Sequence, residues 1–305
     1  MIKEARREDK NEIYELWKQA YPDSEQKKLN FYFRNIYDDG LTLVQEVDHH
    51  IVASLQMNTQ VVSFHGYLLD VSYLLGMSTL ADYRSRGLMK ELFLQALDEC
   101  SHNHLLTMVK ALQPKIYEHY GFSTVYERKQ YGIHREYLDA ILDSDYVIKD
   151  VTSQELLEAY ETFTIVFDGY RQRTLAYYDR LLKELELGMK HIVAYKKEKE
   201  SVSGYLIYET QGNDIIIKEA IYLDSISLKR MMKSILDDYS MIRMEVSSGE
   251  QIEKIFPLAK PINKAYMMAR INNYELFNKL FNTDVKTVDE AFAILKKPLW
   301  YYESY

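Results

Sequence analysis

Hydrophobic positions in the first 140 residues change period several times, and each change marks an element. Ile2 to Ala5 alternates as a short strand, and Asp9 is placed to cap a helix that carries Ile13, Leu16 and Trp17. A second helix is predicted from Ser24 to Ile36. Leu41, Leu43 and Val47 then alternate with Thr42 and Glu46, and after a turn at Asp48 so do Ile51, Ala53, Leu55 and Met57, which predicts an antiparallel hairpin. A third strand places Leu69, Val71, Tyr73, Leu75 and Met77 on one face. The period lengthens over Leu88, Met89, Leu92, Phe93, Ala96, Leu97 and Cys100, as a helix requires. Leu105 to Val109 reads as a buried strand, Pro114 to Tyr120 as a helix stopped by Gly121, and Phe122 opens another strand.

A second pass begins after residue 148. Helices are predicted over Ser153 to Phe163 and Arg173 to Glu186, followed by strands at His191 to Tyr195, Tyr205 to Tyr208 and Ile215 to Tyr222. Gly212, Asn213 and Asp214 supply the turn between the last two strands. A helix with Leu228, Met231, Met232, Ile235, Leu236 and Tyr239 precedes a strand from Met241 to Val246. This β, β, β, α, β succession repeats that of residues 41 to 109, so the chain is expected to be an α/β (α+β) protein of two tandem units, 1–148 and 149–263. Residues 264–305, with a strand MMARI and a helix VDEAFAILKK, are expected to form an appendage.

Composition narrows the function. At about 100 to 200 residues per domain, 305 residues fit two domains, and 47% hydrophobic with 28% charged residues describes a globular chain. The net charge of −8 argues against nucleic acid or an anionic membrane as partner and suits a cationic small molecule. Cys100 is the single cysteine, so an internal disulfide and a cysteine-based zinc site are excluded, and its apolar helical setting predicts a packed thiol. No histidine pair has the helical i, i+4 spacing of a zinc motif, and no metal is expected. No signal core and no long apolar span are visible, which predicts a soluble cytoplasmic protein.

The strongest local signal is Thr79 at a strand end, followed by Tyr83-Arg84-Ser85-Arg86-Gly87-Leu88 and an amphipathic helix. A helix N-terminus offers unpaired N–H groups, Gly87 admits close backbone approach, and Arg84 and Arg86 add charge, so the segment is built to receive an anion such as pyrophosphate. This Arg-x-x-Gly, together with Tyr117-Glu118-His119-Tyr120-Gly121-Phe122, resembles the GNAT acetyltransferase superfamily over residues 1 to about 140. The resemblance implies acetyl-coenzyme A as cosubstrate, held at Arg84, Ser85, Arg86, Gly87, Leu88 and Met89, with the pantetheine arm along Met77, Ser78 and Thr79. Met89 stands where the family has Gly or Ala. Tyr117 corresponds to the tyrosine that protonates the departing thiolate. Such a donor suits direct attack of an amine on a thioester, because sulfur leaves more readily with a proton.

The duplicated second unit narrows the resemblance to the enhanced-intracellular-survival (Eis-like) branch, whose members acetylate amines such as aminoglycosides and lysines. In that branch a sterol-carrier-like third domain follows; YMMARINNYELF is similar to its opening, and only 28 residues follow Phe277, so that domain is expected to be absent or vestigial here. The branch places its terminal carboxylate in the active site, which draws attention to Tyr305, and Ala20-Tyr21-Pro22-Asp23 is similar to a segment of its acceptor pocket. Tyr21, Asp23 and Glu46 are therefore candidate acceptor residues, and Glu46, Asp70 and Asp23 candidate general bases, beside water-mediated deprotonation. The expected partner is a small-molecule or lysine amine, with assembly into a homo-oligomer open. The rival expectation is a non-catalytic coenzyme A-binding or interaction protein. No G-x-S-x-G is present to suggest a serine hydrolase.

Overall fold

The computed structural model describes residues 1–22, 25–138, 144–198, 200–236 and 239–303. The strands are β1 (Ile2–Glu4), β2 (Thr42–Val47), β3 (His50–Phe64), β4 (Tyr67–Thr79), β5 (Leu106–Lys110), β6 (Ser123–His134), β7 (Val147–Ile148), β8 (His191–Tyr195), β9 (Gly204–Gln211), β10 (Asp214–Tyr222), β11 (Met241–Ser247) and β12 (Ile262–Ile271). The helices are α1 (Lys10–Ala20), α2 (Gln26–Asn35), α3 (Leu88–Asn103), α4 (Pro114–Glu118), α5 (Ser153–Thr164), α6 (Leu175–Glu186), α7 (Ser225–Ile235), α8 (Tyr274–Phe281) and α9 (Val288–Ala293). All these strands join one sheet, in the order β1-β2-β3-β4-β5-β12-β6-β11-β10-β9-β8-β7.

The repeated succession seen in the sequence is a repeated topology. In the first unit β2, β3 and β4 are antiparallel neighbours, and β5 returns parallel to β4 after α3. In the second, β8, β9 and β10 are antiparallel and β11 returns parallel to β10 after α7. Helix α3 packs Leu92, Phe93, Ala96, Leu97 and Cys100 against Leu43, Leu55, Leu74 and Val109 on one face of the sheet. On the other face α1 packs Ile13, Leu16 and Trp17 against Val44, Val71, Tyr73 and Leu75. No helix among the described residues is long and apolar enough to cross a membrane.

Residues 264–305 are no appendage. β12 lies inside the sheet, antiparallel to β5 on one side and to β6 on the other, and α8 and α9 bury Phe277, Phe281, Val288 and Phe292 in the α1 core. The tail then crosses to the second unit, where Trp300 N–H donates to Asp168 O at 2.9 Å and Asp168 N–H to Pro298 O at 2.9 Å. Helix entry also differs from expectation. Asp9 makes no side-chain cap to α1; its Oδ2 accepts the Arg6 N–H at 2.8 Å and closes the preceding turn instead.

The pattern of β4 breaks at Gly76. β3 pairs Ser54 with Ser78 and Gln56 with Leu75, so Gly76 and Met77 both oppose Leu55 in a β-bulge. The inserted residue reverses the alternation: Val71, Tyr73 and Leu75 face α1, whereas Met77 joins the α3 side, contrary to the single face predicted for all of them. Gly76 has φ +65°, and a Cβ there would stand 1.8 Å from Cζ2 of Trp17. Replacing Gly76 by alanine combines left-handed strain of about 1–2 kcal/mol with overpacking of about 1–3 kcal/mol. Gly76→Ala is expected to lower the unfolding free energy by about 2–5 kcal/mol in urea titration, with part of the loss recovered when Trp17→Ala is added. A midpoint equal to that of the parent would disprove this account of the bulge.

Candidate active site

β4 and β5 pair only from Val71–Leu106 to Leu74–Val109; β5 ends at Lys110 while β4 continues to Thr79, so the two strands part at their C-terminal ends. Three of the predicted features meet around this gap. Beyond Thr79 the chain turns through Ala81–Tyr83, and the side chains of the Arg-x-Arg pair brace the loop: Arg84 Nε donates to Thr79 O at 3.1 Å, and Arg86 donates to Asp82 O at 2.7 Å with its guanidinium 4.9 Å from the Tyr83 ring centre. Ser85 (φ +62°) and Gly87 (φ +82°) lie in the left-handed region, and Gly87 leads directly into α3.

No side chain caps the first turn of α3, so the amides of Leu88, Met89 and Lys90 remain available beside a glycine with no heavy atom within 4 Å of where its Cβ would stand. That combination fits a phosphate group, which needs several N–H donors and close backbone approach. Met89, the departure from the family pattern, packs its side chain against the α3 cluster. The equivalent start of α7 is closed. Asp224 Oδ1 accepts the N–H groups of Ile226 and Ser227, both at 2.8 Å.

The other end of the gap is lined by phenols. Proline at the first turn of α4 starts that short helix, and Tyr117 leaves it to pack against Phe93 and Phe122, with ring centres 5.8 and 6.1 Å away. Its hydroxyl lies 3.9 Å from Sδ of Met77. Tyr21, at the end of α1, donates its hydroxyl to Met77 O at 2.8 Å. Burial raises the Tyr117 phenol above its ordinary range, and burial together with the Tyr117 phenol pushes Tyr21 up to about 12. Both are therefore neutral hydrogen donors at physiological pH. Ser78 turns to the opposite side, where its Oγ lies 2.8 Å from Ser54 Oγ, itself an acceptor for Trp17 Nε1 at 3.0 Å.

Tyr21, Met77 and Tyr117 are thus brought together. Glu46 lies at the end of β2 with its carboxylate 2.6 Å from Lys3 Nζ, and Asp70 is exposed near the opposite end of β4. Asp23 and Tyr305 lie outside the described residues.

One further feature was not foreseen. A cavity of about 210 Å³ is lined by Asn58 and Tyr73 of the β3–β4 pair, Asp38 after α2, Arg171 and Arg180 of the second unit, and Glu303 of the tail. Glu303 is held 2.5 Å from Arg171, and Arg173 forms a two-pronged pair with Glu219 at 2.7 and 2.6 Å. The available signals were faint: an Arg-x-Arg at 171–173 and an aromatic cluster, PLWYYE, at 298–303.

Residues 1–125 match the family model of the acetyltransferase (GNAT) domain. No curated protein matches the chain significantly. Among solved structures, a protein of Enterococcus faecalis described as a probable N-acyltransferase superposes with TM-score 0.76 at 17% identity, over 90% of this chain and 72% of that one. A GCN5-related N-acetyltransferase from Anabaena variabilis gives 0.74 at 16% identity over 90% and 73%, and Eis1 from Mycobacterium abscessus 0.68 at 13% over 91% and 75%. At these identities the structures speak for the fold, and they extend it over both units. Residues 1–125 thus match a GNAT acetyltransferase domain, and the protein is an acyl-coenzyme A-dependent acetyltransferase.

Proposed function

We propose that the chain moves an acetyl group from acetyl-coenzyme A to a small primary amine in the gap between β4 and β5, in the manner of the Eis-like acetyltransferases. The observation that carries this reading is the placement of two complementary groups at the ends of one short strand segment: uncapped amides beside Gly87, and the Tyr117 phenol at Met77. The pyrophosphate would lie on the amides of Gly87 to Met89, and the pantetheine arm along Met77–Thr79. The thioester would then lie close to Met77. Attack of the neutral amine on the carbonyl carbon forms the C–N bond and places charge on oxygen; collapse breaks the C–S bond, and the sulfur takes the proton of Tyr117. The proton lost from the amine leaves to solvent, and solvent returns a proton to the Tyr117 phenolate.

Residues 1–148 act as the catalytic unit in this reading, and 149–263 as a scaffold that forms one wall of the acceptor cavity. The scaffold role follows from Asp224, whose carboxylate occupies the amides that a phosphate would need and repels the phosphate as well. Calorimetric titration is expected to give one coenzyme A per chain, and Arg84→Glu with Gly87→Asp to abolish binding while circular dichroism is unchanged. Two sites per chain, or unaltered affinity in the folded double variant, would overturn the assignment.

Tyr117 generates a kinetic expectation. Tyr117→Phe should lower kcat by about 10²- to 10⁴-fold, the range of general acid catalysis, and leave acetyl-coenzyme A affinity nearly intact. Because burial raises its pKa, the donor stays protonated through the ordinary tyrosine value near 10. The fall of kcat that reports its ionisation should therefore lie above that pH and vanish in Tyr117→Phe. Turnover close to the parent value would assign the proton to another group, and an absence of thiol release from acetyl-coenzyme A across amines would favour a binding protein.

A further inference from the structure

We propose that the acceptor is a small amine that also carries a carboxylate, and that Arg180 holds this carboxylate in the cavity beside the β4–β5 gap. The inference rests on the acetyl-transfer reading and adds the substrate class to it. Position comes first. Asn58 and Tyr73, which line the cavity, are cross-strand partners two residues from the Gln56–Leu75 pair where β4 leaves β5. At about 3.3 Å per residue that is roughly 7 Å to the point where the strands part, and Met77 lies two residues further on. Tyr73 shares its sheet face with Leu75. A ligand in the cavity would therefore present its amine on an extended arm directed along β4 toward the gap.

Charge decides what else the ligand carries. The acid of the cavity tail is held by two arginines: Glu303 Oε2 pairs with Arg171 at 2.5 Å, while its Oε1, which makes no hydrogen bond, lies 3.7 Å from Arg173, whose main partner is Glu219. Asp38, at the rim, receives the Gly40 N–H at 2.9 Å. Arg180 is different. Among the described residues no carboxylate lies within ion-pair distance of it, its Nε is buried without a hydrogen-bond partner, and its guanidinium lies 5.7 Å from the centre of the Tyr177 ring. A buried donor left without an acceptor is unfavourable. A planar carboxylate on the ligand satisfies the fork with two parallel bonds. A purely cationic acceptor would instead meet an unanswered positive charge.

Size and edge chemistry agree. About 210 Å³ is below the roughly 300–1,000 Å³ of pockets for drug-sized ligands, and suits a molecule on the scale of an amino acid. The free edge of β3 points the same way. β2 pairs with β3 as far as Gln56, and the segment 169–172 bonds to Val61 and Ser63, which leaves a gap at Thr59. Backbone groups alternate between the two edges of a strand, and Thr59 has the parity of Val61 and Ser63. Its N–H and C=O therefore face the cavity edge, where they complement an amide or amino-acid backbone.

The test compares matched acceptors, lysine and glycylglycine against lysinamide and glycylglycine amide, by thiol release from acetyl-coenzyme A and by calorimetric binding to protein saturated with coenzyme A. The parent is expected to favour each acid at least tenfold in kcat/KM. Arg180→Met should erase that preference through KM, with the amides little changed and circular dichroism intact, and Arg180→Lys should retain part of it. Equal use of acids and amides by the parent, or equal loss for both in Arg180→Met, would overturn the proposal and give Arg180 a structural role. The calorimetric arm separates the two readings. Carboxylate binding that depends on Arg180 without thiol release from any amine sustains the pocket and removes acetyl transfer; turnover of spermidine with no carboxylate preference sustains acetyl transfer and removes the pocket assignment.

Discussion

The contact of the Trp17 indole with the backbone of Gly76 is the constraint on which the site depends. With a glycine at φ +65° the strand can take up one extra residue beneath the indole, and that residue reverses every side chain after it. Met77 then meets Tyr117 on the α3 side, and Ser78 enters the Trp17–Ser54 network. The same indole stacks on Tyr32, with ring centres 5.2 Å apart, and Tyr32 donates to Gln56 at 2.5 Å opposite Leu75. Four residues beyond Trp17, Tyr21 reaches Met77 O. One aromatic side chain thus sets the direction of β4 and the side on which Met77 meets Tyr117.

The two units answer the same structural problem differently. Each places a helix after three antiparallel strands, and the first turn of each helix has N–H groups to satisfy. In α7 Asp224 satisfies two of them, a cap of the kind usually worth about 0.5–2 kcal/mol. At α3 that stabilisation is absent, and Gly87 and Ser85 add left-handed conformations. A helix start left uncapped in one copy and capped in the other is the difference on which the proposed division into a binding unit and a scaffold rests.

Much of this was legible from the chain because it is local. The element order of both units follows from period, and the loop at Arg84–Gly87 and Tyr117 stand within a few residues of the elements that hold them. The face of Met77 was misread because alternation carries no sign of a bulge unless the glycine is recognised as one, and Gly76 sat inside an apolar run. Asp9 was misplaced by one turn, since a carboxylate can close either the turn before a helix or its first amides. Residues 264–305 were set apart because nothing local tells a strand that it belongs between two others laid down some 130 to 160 residues earlier. Arg171, Arg180 and Glu303 escaped for the same reason: their meeting is a property of the assembled seam.

That seam explains why a cavity survives at the junction of two packed units. Arg173 is fully buried with Glu219, and Arg128 lies between the rings of Tyr266 and Tyr302, 3.6 and 3.8 Å from their centres. Burying ion pairs costs desolvation that their attraction does little more than offset, whereas removing one partner costs about 3–5 kcal/mol. Such pairs therefore contribute position more than stability: any shift of the second unit against the first would strand a charge. Tyr266 adds a directional tie by donating to Glu303 O at 2.6 Å. The tail is held against β12, α6 is held through Arg173 and Tyr178, and Arg180 is carried on the same helix. The helix so fixed carries Arg180 into the lining of the cavity.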